Sequence, residues 1–234
     1  MLERRHPYRR RNPLALNHPL PQVVLTCMLK VGLTGSIAVG KSFVLGVLTE
    51  LGAHVLDADA TGRACAAPGT PGYKEVVEAF GKEILAADGS IDRAKLGSIV
   101  FADEAKRLQL NSILHPYIIA AQDEQLREWE KEDPHGIGVV DAALMIETGT
   151  YRRFDVLIVV CCRPEVQLER LMARDGLSRE EAERRIAAQM SQEEKKKYAD
   201  YLIDTSEGTE GAQKYTEAVF QQLEAELHEG LKRL

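Results

Sequence analysis

Leu29-Lys30-Val31-Gly32-Leu33-Thr34-Gly35-Ser36-Ile37-Ala38-Val39-Gly40-Lys41-Ser42 is the stretch that decides the fold. From Gly35 to Ser42 it completes the pattern G-x-x-x-x-G-K-[ST], and the apolar run Leu29 to Thr34 before it reads as a buried strand. Gly35 and Gly40 let the backbone bend without a Cβ, so that successive N–H groups can point at an anion while the next helix presents its positive N-terminal end. Lys41 reaches the β- and γ-phosphates in such a cradle, and Ser42 offers its hydroxyl to Mg²⁺. A glycine turn with an incidental Lys-Ser is the plainer alternative, and chance gives the pattern in about one chain in a hundred of this size. The context argues against it, because the amphipathic segment Phe43 to Leu51 follows and stops at Gly52, completing strand, loop and helix. The loop residues Gly35, Ser36, Ile37, Ala38, Val39, Gly40, Lys41 and Ser42, with Phe43 beside them, are the expected nucleoside-triphosphate contacts.

Downstream, apolar β runs alternate with helical stretches, the pattern of an α/β fold whose parallel sheet is covered by helices. The expected strands are Leu29 to Thr34, Ala53 to Leu56, Gly138 to Val140, Val156 to Cys161 and Tyr201 to Ile203. In such sheets ligands gather beyond the carboxyl ends of the strands. Those positions here are the phosphate loop, Asp57-Ala58-Asp59, Asp141 to Glu147, Arg163-Pro164 and Asp204-Thr205-Ser206.

The span between the second and third strands far exceeds the dozen or so residues of a simple crossover. It reads as an inserted helical substrate domain over about 59–135, with helices Gly72 to Phe80 and Asp92 to Phe101, then a long pattern from Asp103 to Glu132 that Pro116 breaks in two or kinks. A second helical stretch, about 164–199, opens at Pro164 and carries two S-x-x-E boxes, at Ser178 and Ser191. Its arginines suit a lid over phosphates, although for most of them a solvated face is the plainer reading. Arg174, at a helix end just before Asp175-Gly176, is placed to swing over a γ-phosphate. The core is then 28–58, 136–163 and 200–234, closed by an amphipathic helix from Glu210.

Asp59 lies just past the second strand, on the sheet edge that carries the loop. A carboxylate there can take the proton of an acceptor hydroxyl during phosphoryl transfer, and its position also suits a helix N-cap for Ala60 to Ala66. Asp57 can orient its neighbour. Arg63, one turn after Asp59, can pair with it or clamp a substrate phosphate. A His beside a helix-breaking Pro serves a structural hydrogen bond as readily as a ligand, and His115 is assigned to substrate binding. Asp141 sits where an aspartate would hold Mg²⁺ through water, and Glu147 ends a substrate-facing turn.

Composition narrows the class further. The chain has 234 residues, 44% of them hydrophobic, enough for one substantial core, and no run approaches the ~20 apolar residues of a membrane span. A net charge of −6 disfavours a nucleic-acid partner. Cys27, Cys65, Cys161 and Cys162 form no C-x-x-C pair and read as thiols of a reducing compartment. Residues 1–27 stand apart, with five arginines against Glu3 alone and four prolines that forbid a regular helix. They read as a disordered leader; a targeting segment and a true start at Met28 are the alternatives.

From Met28 to about Gln221 the chain closely resembles the dephospho-CoA kinase family. The match runs through Val31 to Ser42, Val55-Leu56-Asp57-Ala58-Asp59 with Arg63, Leu114-His115-Pro116, Leu144-Met145-Ile146-Glu147, Gln167 to Asp175, and Arg185 with Gln189. Phe43, Ala143 and Thr205 depart from the family's usual small hydroxyl residue, proline and asparagine; the last bears on the adenine contact. The resemblance implies a P-loop NTPase-type five-stranded core, a CoA-binding helical domain and a lid. It implies ATP as donor with Mg²⁺, the ribose 3′-hydroxyl of dephospho-CoA as acceptor, Asp59 as general base and Arg174 as an ATP contact. A cytoplasmic enzyme, monomeric or a small homo-oligomer, with no membrane or nucleic-acid partner, is the corresponding expectation. A kinase for another small acceptor, such as a nucleoside monophosphate, and a non-catalytic nucleotide-dependent regulator are the alternatives.

Overall fold

The computed structural model describes residues 28–232, and the expectations for residues 1–27 lie outside them. The strands β1 (Leu29–Gly35), β2 (His54–Asp57), β3 (Ile137–Asp141), β4 (Val156–Cys161) and β5 (Tyr201–Asp204) form one sheet in the order β2-β3-β1-β4-β5. β1 pairs in parallel with β3 and β4, and β4 in parallel with β5; Leu33 lies opposite both Asp141 and Ile158. Every residue of β3 and β4 is buried, which is why these strands read as continuous apolar runs rather than alternating ones.

On one face, α1 (Lys41–Glu50) and α9 (Gly208–Lys232) supply Val44, Leu48, Val219 and Leu223 to a core shared with Val31, Leu33, Ile158 and Tyr201. The other face of β1 is approached so closely that a Cβ at Gly32 would lie 2.6 Å from Met145 Sδ and 2.9 Å from the Phe154 ring. The segment after β3 therefore closes against the strand that feeds the phosphate loop.

The chain divides into two compact units, one comprising everything up to Val55 and from Trp129 onward, the other Leu56–Glu128. The second holds α2 (Ala58–Cys65), α3 (Pro71–Phe80), α4 (Arg93–Ala102) and most of α5 (Glu104–Glu132), around a core of its own made by Val76, Phe80, Ile84 and Leu96. Thr70 and Asp92 cap the starts of α3 and α4 with side-chain oxygens. α5 runs as a single helix through Pro116, although the proline denies the Ser112 carbonyl its helical partner.

In the first unit, α6 (Pro164–Asp175), α7 (Arg179–Ala187) and α8 (Gln192–Lys196) follow β4. α6 ends at Gly176 in the left-handed region (φ 65°), and α7 opens on a reciprocal capping box between Ser178 and Glu181. Ser191 caps α8 by accepting from the Glu194 N–H, whereas the Glu194 carboxylate pairs with Lys197. Among the described residues no helix is long and apolar enough to cross a membrane.

Candidate active site

Gly35 ends β1, and a Cβ there would meet the Val160 carbonyl at 2.6 Å, so only glycine lets the loop leave the sheet beside β4. Gly40 sits at φ 86° as the N-cap of α1, turning the chain so that Lys41 opens the helix. Ala38 is the one non-glycine residue with positive φ (60°) among the described residues, strain stored at the middle of the loop. Ser42 and Phe43 are exposed in the first turn of α1.

The cradle is held from several sides. Thr205 Oγ1 donates to the Val39 carbonyl at 2.8 Å; Arg170 donates to Thr205 Oγ1 at 2.8 Å and to the Thr205 carbonyl at 2.7 Å. Thr205 thus anchors the loop from the end of β5, its side chain filled by backbone and Arg170. Ser36 Oγ donates to the Met190 carbonyl at 3.3 Å, and Thr34 Oγ1 to the Ala143 carbonyl at 3.1 Å.

Lys41 Nζ donates to Asp141 Oδ1 at 2.5 Å, and both side chains are largely shielded, 19% and 12% exposed. The sheet register explains the pair: Asp141 ends β3 directly opposite Leu33 of β1, at the carboxyl edge from which the loop springs. The structure thereby brings a cation and a carboxylate to one point of the loop. Glu147, placed by the sequence in a substrate-facing turn, is instead held by Lys195, whose ammonium donates to its two oxygens at 2.8 and 2.9 Å and to the Ala143 carbonyl at 2.7 Å.

Arg174 stands at the end of α6, 55% exposed, with Nε donating to Asp175 Oδ1 at 2.7 Å and Nη2 to Oδ2 at 3.1 Å. Arg185 of α7 donates to the same carboxylate at 2.9 Å. The hydrogen bond from Arg174 holds the Asp175 carboxyl below its usual value, and the same contact raises the guanidinium. Both arginines are therefore parked on one exposed aspartate at the tip of the α6–α7 hairpin.

In the helical unit the expected capping is corrected. Asp57, not Asp59, is the N-cap of α2: its Oδ1 accepts from the Asp59 and Ala60 N–H groups at 2.8 and 3.1 Å. A cap needs extended backbone, which Asp57 has as the last residue of β2, whereas Asp59 already lies inside the first helical turn, exposed. Arg63 likewise reaches Asp57, at 3.4 Å, rather than Asp59, since the cap residue's second oxygen is the one turned toward it. His115 is half-buried on α5, one residue before Pro116, and its side chain makes no hydrogen bond or ion pair among the described residues. Cys161 and Cys162 are buried free thiols, Cys161 pushed up to about 11 by burial.

The family model described as Dephospho-CoA kinase matches residues 29–210. The chain belongs to the dephospho-CoA kinase family. The dephospho-CoA kinase of Geobacter metallireducens is 47% identical over 186 residues, 78% of this chain and 92% of the relative. That of Streptomyces avermitilis is 46% identical over 177 residues, 76% of this chain and 85% of the relative. Among solved structures, TT1252 from Thermus thermophilus superposes with a TM-score of 0.73 at 30% identity, covering 84% of this chain and 98% of its own. The dephospho-CoA kinase from Campylobacter jejuni gives 0.56 at 29% identity, with 82% and 96% covered.

For this member of the dephospho-CoA kinase family, sequence reasoning overlooked Lys195 as a site-building residue. It sits in Lys195-Lys196-Lys197, a run that reads as solvated, and only the register of the short helix α8 turns one of the three inward. Nor did spacing disclose that Gln167 and Gln189 reach the loop, because side-chain amides carry no charge pattern to find.

Proposed function

We propose that this chain transfers the γ-phosphoryl group of ATP to the ribose 3′-hydroxyl of dephospho-CoA, giving CoA and ADP. The observation that carries the reading is the Lys41–Asp141 pair at the mouth of a glycine-bounded loop that opens a helix, within a chain of this family. The Asp59 carboxylate takes the proton of the 3′-hydroxyl as that oxygen bonds to the γ-phosphorus, and the bond to the bridging oxygen of ADP breaks. Lys41, freed toward the nucleotide, neutralises charge on the transferred group, and Arg174 leaves Asp175 to do the same from the lid. The loop residues 35–42 with Phe43 hold the triphosphate, while Arg63 and His115 bind the acceptor.

Mg²⁺ suits the oxygen donors present. Such an ion takes one or two protein ligands together with the substrate's phosphates. Ser42, exposed one residue after Lys41, would hold it, with Asp141 as outer partner. When bound, the ion draws charge from the phosphate oxygens.

In this reading the helical unit binds CoA, the segment 164–199 is the lid, and the enzyme works in the cytoplasm as a monomer or small homo-oligomer on small-molecule substrates. Incubation with ATP, Mg²⁺ and dephospho-CoA, followed by chromatography for CoA, tests it against a panel of nucleoside and nucleoside-monophosphate acceptors. Turnover of a nucleoside monophosphate in place of dephospho-CoA would overturn the acceptor assignment, and no turnover of either would favour a regulator.

A further inference from the structure

Both polar groups of one peptide residue, Ile37, are held by glutamines from opposite ends of the lid segment. Gln167, in the first turns of α6, donates Nε2 to the Ile37 carbonyl at 2.8 Å; Gln189, two residues past α7, accepts the Ile37 N–H on Oε1 at 2.8 Å. A third glutamine completes a directed chain. Cys162 N–H donates to Gln192 Oε1 at 2.9 Å, and Gln192 Nε2 donates to Gln167 Oε1 at 2.7 Å. The ends of this chain are a backbone N–H, which can only donate, and a backbone carbonyl, which can only accept, so every amide orientation between them is fixed. Gln167 is 2% exposed, where an unmade hydrogen bond is costly.

We propose that Gln189 and Gln167 are positioning residues for phosphoryl transfer, pinning Ile37 and so fixing both the outer wall of the phosphate loop and the point about which the arm carrying Arg174 and Arg185 closes. Between the two pins lie most of α6 and all of α7; Arg170 ties α6 to Thr205, and beyond it the tip carries the exposed Asp175 cluster. An arm anchored twice at one peptide can swing at its tip while its root stays in register with the loop that holds the γ-phosphate. The inference rests on the reading of the loop as an ATP site.

Gln189→Leu and Gln189→Glu separate positioning from packing. The Leu variant removes the acceptor for the Ile37 N–H, and kcat should fall about 10- to 100-fold, as for a misplaced reacting group, with the KM for dephospho-CoA within about twofold and the melting temperature nearly unchanged. The Glu variant keeps the acceptor, so kcat at saturating ATP should recover most of that loss. Its carboxylate lies beside a phosphate site, so the KM for ATP should rise, and less so at high salt. A folded Gln189→Leu with kcat within about twofold of wild type, or a Glu variant no better than the Leu one, overturns the proposal. Should the Leu variant not fold, Gln189→Asn, one methylene short of Ile37, takes its place under the same criteria. Wild-type turnover in the same assay reports on the ATP reading separately.

Discussion

Lys195 and Glu147 form an ion pair whose two halves are unequally buried: the lysine side chain is 1% exposed and the glutamate 23%. The ammonium's three donors are all used, two on the carboxylate and one on the Ala143 carbonyl, which also accepts from Thr34 just before the phosphate loop. The pair therefore ties α8, the segment after β3 and the end of β1 into one block beneath the site.

Its asymmetry gives a direction to mutagenesis. Glu147→Leu strands a buried cation and should cost about 3–5 kcal/mol, whereas Lys195→Met leaves a carboxylate that water can reach and should cost less. Urea unfolding midpoints for the two variants decide it; equal costs, or the reverse order, would show that the burial difference does not matter.

Within the loop, Ala38 holds a left-handed conformation that disfavours side chains by about 1–2 kcal/mol and β-branched ones more. Ala38→Val should lower stability by more than about 1 kcal/mol, while Ala38→Gly, which exchanges strain for chain entropy, should be close to neutral. Thermal unfolding of both variants checks this, and a neutral Val variant would count against strain at that position.

Cys161 gives a pH dependence. An unfolded thiol releases its proton near the ordinary 9.0, the buried one near about 11, so folding keeps a proton that unfolding would release between those values. The contribution is fully present below pH 9 and is lost as pH rises toward 11. Stability should fall more steeply over that window in wild type than in Cys161→Ala, which lacks the group. Parallel slopes for the two proteins would remove the thiol from the account.

Lys41→Ala should cut turnover by roughly 10²–10³-fold, in the range seen when one transition-state charge partner is removed. Circular dichroism should stay native, because Lys41 contributes to an ion pair rather than to a core cluster. Near-wild-type turnover in a folded variant would sink the phosphate-loop assignment.

The sequence made the strands and the loop legible because their signals are local. A strand buried on both faces is a continuous apolar run, and the loop's glycines are required by contacts within a few residues or with the adjacent strand, as at Gly35 against Val160. What stayed hidden depends on register. Which residue of Asp57-Ala58-Asp59 caps α2 turns on where extended backbone ends, and a shift of two residues moved the role from Asp59 to Asp57. Of the break or kink that Pro116 suggests, the break does not occur: α5 continues through it, since the helix around it supplies enough hydrogen bonds to absorb one lost donor. The roles of Lys195, Gln167 and Thr205 come from partners far along the chain, which no spacing rule reaches.

That shift of the cap sharpens the test of Asp59. With Asp57 satisfying the first N–H groups of α2, Asp59→Asn leaves the cap untouched and removes only a proton acceptor from an exposed carboxylate. General-base catalysis contributes typically 10²–10⁴-fold, so kcat should fall by about that much with ATP binding little changed. Asp57→Ala provides the contrast: it should cost about 1 kcal/mol of stability through the lost cap and release Arg63 from its partner. Turnover and unfolding are thus expected to separate between neighbouring carboxylates, Asp59 governing the first and Asp57 the second. Retention of more than about a tenth of the activity in Asp59→Asn would fall outside the range for a general base and leave Asp59 a solvated residue of the first helical turn.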